Sequence, residues 1–367
     1  MKKLLFGITS LTIGGAERVL VDIANELCEK YEITIFTIYP NGEFEKTLSS
    51  KIKLKSLYNV QYKELTKIQK VLIPLRIWLQ QKSIYKKYVQ NNYDVEIAFL
   101  EGAITRIFST KNKNTTKIAW IHNDISKVFG NSLKSKIKRN VDKKIYSKYD
   151  KLIFVSKDNK ESFEKVYKTN VVDKKVIYNY INKDRVIEKS RETPDLKFDD
   201  CNLNFVTVAR LVGQKALDRL IKVHNKLIKE GLQHNFYIIG EGPEKDKLQK
   251  MINDYNLQET FKLLGKRENP YPYIKQADYF CLLSHFEGYG MVLEEAKILN
   301  KNILITDTAA REVIRDYSNS QILQNSEEGI YEGLKNIIKN NKKQMDQVQN
   351  NYDNKYIIKN IIELVGE

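Results

Sequence analysis

The sequence predicts an α/β protein of two domains, each a parallel sheet covered by helices on both faces. Three observations carry this. The chain has 367 residues, which suits two cores better than one. Short β-branched and aromatic runs alternate with stripes of helical period along its length. The pattern then restarts near residue 203.

In chain order, Leu4, Phe6 and Ile8 open a buried strand, and Leu20, Ile23, Ala24 and Leu27 form a helical stripe after it. Further strands are predicted at 33–38, 95–100, 117–122 and 152–156. Such apolar runs, separated by helices, are the mark of strands buried on both faces. In the second half, strands are predicted at 205–209, 236–239, 279–283 and 303–306, with a helix from about Ala216 to Glu230. The charged segment from Asn182 to Cys201, with Pro194, reads as an interdomain connection. This divides the chain into 1–182, 183–345 and a closing stretch 346–367. The last stretch reads as a helix, from about residue 344, that packs back on the first domain.

Composition excludes several classes. No apolar run is long enough to span a bilayer. The start MKKLLFGITS has the look of a leader, but Gly14 and Gly15 follow with no cleavage site, so a first strand is the better reading. Cys28, Cys201 and Cys281 lack zinc spacing and are read as free thiols in apolar or helical settings of a reducing compartment. The formal net charge is +16, and residues 51–150 alone hold 22 Lys/Arg against 7 Asp/Glu. That field favours phosphates, of an anionic lipid surface or of nucleic acid, yet no nucleic-acid module is present. Within it, the stretch from Val71 through Trp78 to Leu79, followed by Lys82, Lys86 and Lys87, suits a segment lying on a membrane surface. An ordinary amphipathic helix packed on the core would read the same way.

Three constellations carry chemistry. Gly14-Gly15-Ala16-Glu17-Arg18 follows the first strand and opens the first helix. Glycines let the backbone approach a bound group, and a helix N-terminus offers N–H groups to an anion; a plain tight turn is the alternative. The pattern is neither GxGxxG nor a P-loop, which disfavours a dinucleotide cofactor. Arg210 and Lys215 bracket a loop after the first strand of the second half, where two cations can neutralise a diphosphate, or simply sit in solvent. Glu287 and Glu295 flank Gly290, Met291 and Val292 at a strand-to-helix junction, and carboxylates accept well from sugar hydroxyls.

Together these motifs resemble the family 4 retaining glycosyltransferases of the GT-B fold, two Rossmann-like domains with a cleft between them. Glu287 to Glu295 matches the family's E-x7-E signature, Arg210 to Lys215 its R-x4-K loop, and Gly14 to Arg18 its GGAER element. Val155-Ser156-Lys157, Val176 to Asn179, Ile239 to Pro243 with Gly240, and Ile305-Thr306-Asp307 also match, in order, so the resemblance runs from residue 4 to about 314. It implies that Gly14 and Gly15 meet the diphosphate, and that Arg210 and Lys215 stabilise the departing nucleotide. It implies too that Glu287 contacts the transferred sugar, Glu295 the ribose, and the amides near Met291 and Val292 the phosphate and sugar. His122, in Trp120-Ile121-His122-Asn123-Asp124, matches a cleft-facing histidine near sugar and acceptor, with Asn123 and Arg18 on the acceptor side. A lone histidine ending an apolar strand is otherwise most often structural. Tyr180 stands where Pro is usual, and Ala309-Ala310 where Gly-Gly is common. The first should alter a turn, the second the contacts of a loop near the donor.

The expected activity is therefore transfer, with retention, of a hexose or N-acetylhexosamine from a nucleotide-sugar, UDP-sugar favoured. The acceptor is a saccharide, lipid-diphosphate-linked by preference, in bacterial capsule, exopolysaccharide or lipid-linked oligosaccharide synthesis. No Asp-x-Asp motif ends a strand, so no essential metal and no cofactor are expected. The protein is expected in the cytoplasm, peripheral on the inner membrane face, bound through basic residues 51–150, and not on nucleic acid. Competing readings are a nucleotide-sugar epimerase on the same fold and a basic, non-catalytic nucleic-acid-binding protein. The remaining histidines, His224, His234 and His285, lack partner spacing and read as surface or loop residues.

Overall fold

The structure, a computed structural model, describes residues 1–90, 92–123, 133–340 and 352–366. Asp124, and residues 344–351 of the expected closing helix, lie outside the described residues. The chain forms two compact units, Met1–Ile181 with Asp353–Glu367, and Asn182–Tyr352.

The first unit contains a seven-stranded parallel sheet in the order β3-β2-β1-β4-β5-β6-β7. Its strands are β1 (Lys3–Ile8), β2 (Glu32–Thr37), β3 (Lys53–Ser56), β4 (Val95–Ala98), β5 (Thr116–Ile121), β6 (Lys151–Phe154) and β7 (Asp173–Val176). Its helices among the described residues are α1 (Gly15–Leu27), α2 (Lys67–Ile84), α3 (Ala103–Phe108), α4 (Leu133–Tyr146) and α5 (Lys157–Val166). The central strands are buried along nearly their whole length because helices cover both faces, which is why their sequences are continuously apolar. α1 buries Val19, Leu20, Ile23, Ala24 and Leu27, the stripe its period predicts.

The second unit repeats the plan with six parallel strands in the order β10-β9-β8-β11-β12-β13. They are β8 (Leu203–Val208), β9 (His234–Ile239), β10 (Phe261–Gly265), β11 (Tyr279–Leu282), β12 (Asn302–Thr306) and β13 (Ser320–Leu323). The helices are α6 (Lys183–Lys189), α7 (Leu217–Lys229), α8 (Lys245–Asp254), α9 (Tyr271–Gln276), α10 (Met291–Ile298), α11 (Arg311–Ile314) and α12 (Glu327–Lys339). A last helix, α13 (Asn354–Val365), belongs to the first unit, where the Lys151 ammonium donates to the Leu364 carbonyl at 2.9 Å and Tyr31 OH donates to the Gly366 carbonyl at 3.3 Å.

Both sheets reverse strand order once, between β1 and β4 and between β8 and β11. At such a switch point the loops after the two strands diverge to opposite faces and leave a crevice at the carboxyl edge, where ligands bind in open α/β sheets. Every sequence-predicted site residue except Arg18, Val292 and Glu295 sits in a loop or at a helix start after β1, β5, β8, β9 or β11, on that edge of its own sheet.

Three expectations need correction. The segment 182–201, expected as an interdomain connection, lies within the second unit. It contributes α6, with Val186 fully buried, and Phe198, whose ring stacks on Tyr237 at 3.8 Å within the second unit. Cys201 is exposed in a bend before β8 instead of sitting in an apolar or helical setting. His224 and His234 are wholly buried, not at the surface. The Leu232 carbonyl only accepts, so His234 Nδ1–H donates to it at 2.8 Å. His234 Nε2 then accepts from His224 Nδ1–H at 2.8 Å, and His224 Nε2 accepts from the Thr260 hydroxyl at 2.9 Å. One tautomer of each ring satisfies the whole chain, and burial holds both rings neutral, His234 pushed down to about 4 and His224 well below its usual value.

Candidate functional site

The second unit gathers its site at the β8/β11 switch. After β8, the loop makes a short turn at Gly213–Lys215 and ends on Ala216, whose φ of 51° is left-handed. That conformation is costly for a residue with a Cβ; here it aims Lys215 across to the loop after β11. The Lys215 ammonium donates to Glu287 Oε1, and the Ser284 hydroxyl donates to the same oxygen at 2.8 Å. The pair is secluded, with the two side chains 14% and 7% exposed. Ion pairs this buried persist only when further hydrogen bonds complete them, and Ser284, itself fully buried, supplies one. The two loops are stitched by backbone as well. His285 N–H donates to the Gln214 carbonyl at 2.9 Å, and the Gln214 amide donates to the Phe286 carbonyl at 3.0 Å.

Gly290 is left-handed, with φ of 72° and ψ of 66°, and caps α10. The Leu293 N–H returns to the Gly290 carbonyl at 2.9 Å, so the N–H groups of Met291 and Val292 precede the helical ladder and are available to an anion. Glu295 lies a turn further on, half-buried, and its Oε1 accepts from Tyr271 OH at 2.9 Å. Gly240 follows β9 with φ of 146°, and a Cβ there would meet the Ala209 carbonyl oxygen at 1.9 Å. This glycine therefore lets the β9 loop lie directly on the loop that carries Arg210. The Arg210 guanidinium is exposed and makes no hydrogen bond or ion pair among the described residues. Lys215 and Glu287 are thus brought together, while neither Arg210 nor Glu295 forms a hydrogen bond or ion pair with them among the described residues.

In the first unit, Gly14 precedes α1 and Gly15 begins it. Gly14 adopts an ordinary extended conformation, so the turn does not demand glycine there; a Cβ would meet only the mobile end of the Glu17 side chain. Arg18 lays its guanidinium over the Phe44 ring at 3.9 Å and pairs with Asp22 at 4.0 Å.

His122 leaves β5 beside Phe99 and Trp120, with ring centroids 4.7 and 6.3 Å away. Its Nε2 is buried and makes no hydrogen bond among the described residues. The apolar packing pushes the imidazole down to about 3, so the ring is neutral at physiological pH. Its backbone is held by a residue that the sequence reading passed over. Glu101, in the loop after β4, accepts from His122 N–H at 2.6 Å, Asn123 N–H at 2.7 Å and the Asn123 amide at 2.8 Å. Burial raises the Glu101 pKa, and these three donors work in the opposite direction. A carboxylate just past the strand at a switch point was the available signal. Ser284 was likewise passed over, although it stands three residues before Glu287 at the end of a buried strand.

No group of three or more His, Cys, Asp or Glu among the described residues is arranged to hold a metal ion. The chemistry on offer is that of cations, hydroxyls and helix amides toward an anionic ligand, with carboxylates toward hydroxyl groups.

Residues 13–185 match the family model described as Glycosyltransferase Family 4, and residues 188–354 match that described as Glycosyl transferases group 1. A Campylobacter jejuni protein named N-acetylgalactosamine-N,N'-diacetylbacillosaminyl-diphospho-undecaprenol 4-alpha-N-acetylgalactosaminyltransferase is 28% identical over 357 residues, spanning 93% of this chain and 92% of its own. A second protein of that organism is named as an alpha-1,4-N-acetyl-D-galactosaminyltransferase acting on a diNAcBac-PP-undecaprenol glycan. It is 28% identical over 303 residues, 81% of this chain and 77% of its own. The crystal structure of Anabaena HepE in complex with UDP-glucose superposes with a TM-score of 0.74 at 18% identity, covering 100% of this chain and 99% of that one. At that identity the likeness speaks for the fold, which is GT-B.

Proposed function

Because this chain belongs to the glycosyltransferases that join a family 4 domain to a group 1 domain, we propose that it moves a hexose or N-acetylhexosamine from a UDP-sugar to a lipid-diphosphate-linked saccharide, with retention at the anomeric carbon. The observation that carries this reading is the buried Lys215–Glu287–Ser284 cluster at the β8/β11 switch point. The undecaprenol-diphosphate acceptors in the names of the Campylobacter relatives support a lipid-linked acceptor. The UDP-glucose complex of HepE supports a uridine donor.

In the proposed reaction, the acceptor hydroxyl attacks the anomeric carbon from the face that the diphosphate leaves. The bond from that carbon to the phosphate oxygen breaks, and the hydroxyl proton passes to the departing diphosphate. Arg210, Lys215 and the amides of Met291 and Val292 stabilise the charge that grows on the diphosphate, and Gly14 and Gly15 open a helix N-terminus of the same kind in the first unit. Glu287 orients the sugar, and Glu295 accepts from the ribose. His122 stays neutral and serves as a hydrogen-bonding group toward sugar and acceptor. These cationic and amide groups replace a metal ion, so EDTA should leave turnover unchanged. The protein works on the cytoplasmic face of the membrane, where residues 51–150 meet anionic lipid.

The test is a panel of UDP-glucose, UDP-galactose, UDP-N-acetylglucosamine, UDP-N-acetylgalactosamine and GDP-mannose, read by thermal shift and by diphosphate release with and without a lipid-diphosphate disaccharide. Stabilisation by the UDP donors, with acceptor-dependent UDP release and an α-linked product, is expected. GDP-mannose alone responding would overturn the uridine assignment. Donor turnover to an isomeric nucleotide-sugar without acceptor would replace transfer by epimerisation.

A further inference from the structure

We infer that α2 is a membrane-inserting helix: its outward face enters the acyl boundary of an anionic bilayer, so that attachment is partly hydrophobic and not electrostatic alone. This rests on the reading that the acceptor is lipid-linked. α2 is apolar on two opposite faces. Ile73, Ile77 and Ile84 are 9, 3 and 4% exposed and seat it on the first unit. Ile68, Val71, Leu72, Leu75, Trp78 and Leu79 are 71, 72, 53, 50, 46 and 66% exposed. At about 100° per residue these six fall within an arc of roughly 120°, opposite the buried isoleucines. A side chain needed for folding would be inside; six large apolar groups left together in water mark a surface made for an apolar partner.

The charges identify that partner. Residues 67–90 contain Lys67, Lys70, Arg76, Lys82, Lys86 and Lys87 and no carboxylate. Lys67 and Arg76 border the apolar arc, while Lys82 and Lys86 continue it at the C-terminal end, the order of an interfacial helix under anionic headgroups. Trp78, at one edge of the arc, has the amphipathic ring that favours the headgroup level. A second copy of this chain is a poor occupant, because a two-fold contact would bring identical, uncompensated cations face to face.

The helix is also held firmly enough to present this face. It runs into a π-helical turn at Tyr85–Val89, where buried Tyr85 OH donates to Glu96 Oε1 at 2.7 Å. The Lys117 ammonium donates to Glu96 Oε2 at 2.6 Å and to the Phe108 carbonyl at 2.8 Å, which ties the turn to β4 and β5.

The chain's two tryptophans make the test direct, since Trp120 is fully buried and Trp78 is exposed. The full-length protein is mixed with vesicles of phosphatidylcholine containing 30% phosphatidylglycerol, or with phosphatidylcholine alone, in low and high salt. Trp78 emission should shift to the blue on the anionic vesicles and be quenched by lipids brominated near the top of the acyl chain. Leu72→Gln/Leu75→Gln/Leu79→Gln, at exposed positions that leave the core intact, should weaken vesicle partitioning by at least about tenfold. Lys82→Gln/Lys86→Gln/Lys87→Gln should weaken binding to anionic vesicles only. Binding that high salt abolishes completely and that the leucine variant leaves unchanged would overturn insertion in favour of adsorption. A stable dimer that the same variant dissociates would overturn it in favour of a protein interface.

Transfer to a soluble, detergent-free acceptor analogue keeps the two readings separable. A leucine variant that loses vesicles but keeps this transfer supports insertion. Vesicle binding in a protein with no transfer to any acceptor would sink the activity and leave the insertion standing.

Discussion

Replacing Lys215 by Met should cost both stability and turnover, for separable reasons. The substitution keeps the length of the side chain and removes its charge, leaving Glu287, 7% exposed at its side chain, with Ser284 as its one remaining side-chain donor among the described residues. Breaking a buried pair by removing one partner costs about 3–5 kcal/mol. Lys215 is itself 14% exposed and Ser284 remains, so the low end, about 3 kcal/mol, applies. For a unit of this size that lowers its unfolding midpoint by about 6–12 °C. In Lys215→Met/Glu287→Gln the unpaired charge is gone, and most of the stability should return. Activity should not return with it. If Lys215 stabilises the leaving diphosphate, both variants lose about 10²–10³-fold in kcat. Calorimetry of the two variants beside a coupled diphosphate-release assay measures both effects. A single variant that melts with wild type, or a double variant that is no more stable than the single, would refute the buried-pair reasoning. A single variant with near-wild-type kcat would remove Lys215 from the proposed site.

Three further outcomes are expected. Glu101→Ala strands two backbone N–H groups at 122 and 123, so kcat should drop at least about tenfold with a native circular dichroism spectrum, and Glu101→Gln, which keeps one acceptor oxygen, should be milder; equal effects would mean that the carboxylate itself acts on substrate. Gly240→Ala drives a Cβ into the Ala209 carbonyl oxygen at a positive φ and should destabilise the second unit by more than about 2 kcal/mol, read as a lowered urea midpoint. The folded-state pKa values of His224 and His234 lie below the unfolded value, so the unfolded chain binds more protons between them. Stability should therefore be fully present above about pH 6.5 and fall as the pH drops toward 4, by up to about 1.4 kcal/mol per pH unit for each ring, a slope that His224→Leu/His234→Leu should flatten.

The sequence by itself determined the class, the repeat of one plan in two halves, and the central strands. Strands buried on both faces must be continuously apolar, and their shortness and β-branched, aromatic content set them apart from the longer helical stretches. It did not reveal β3, β7, β10 and β13, which are the outer strands of the two sheets. An edge strand shares its residues with solvent, so Lys53–Ser56 and Asp173–Val176 carry no apolar run to be read. The motifs at 14–18, 210–215 and 287–295 were legible because their chemistry is local: glycine where backbone must approach, and charge beside a helix start. Only tertiary structure decided what pairs with what. The Lys215–Glu287 contact spans 72 residues and the Glu101 clasp on His122 spans 21, and neither leaves a periodic trace. The burial of His224 and His234 was hidden for the same reason, since one helix position and one strand position meet only when α7 lies on the sheet. The two faces of α2 were equally undecided, because a helix apolar on opposite sides has little net amphipathicity, and only packing shows which side is spent on the core.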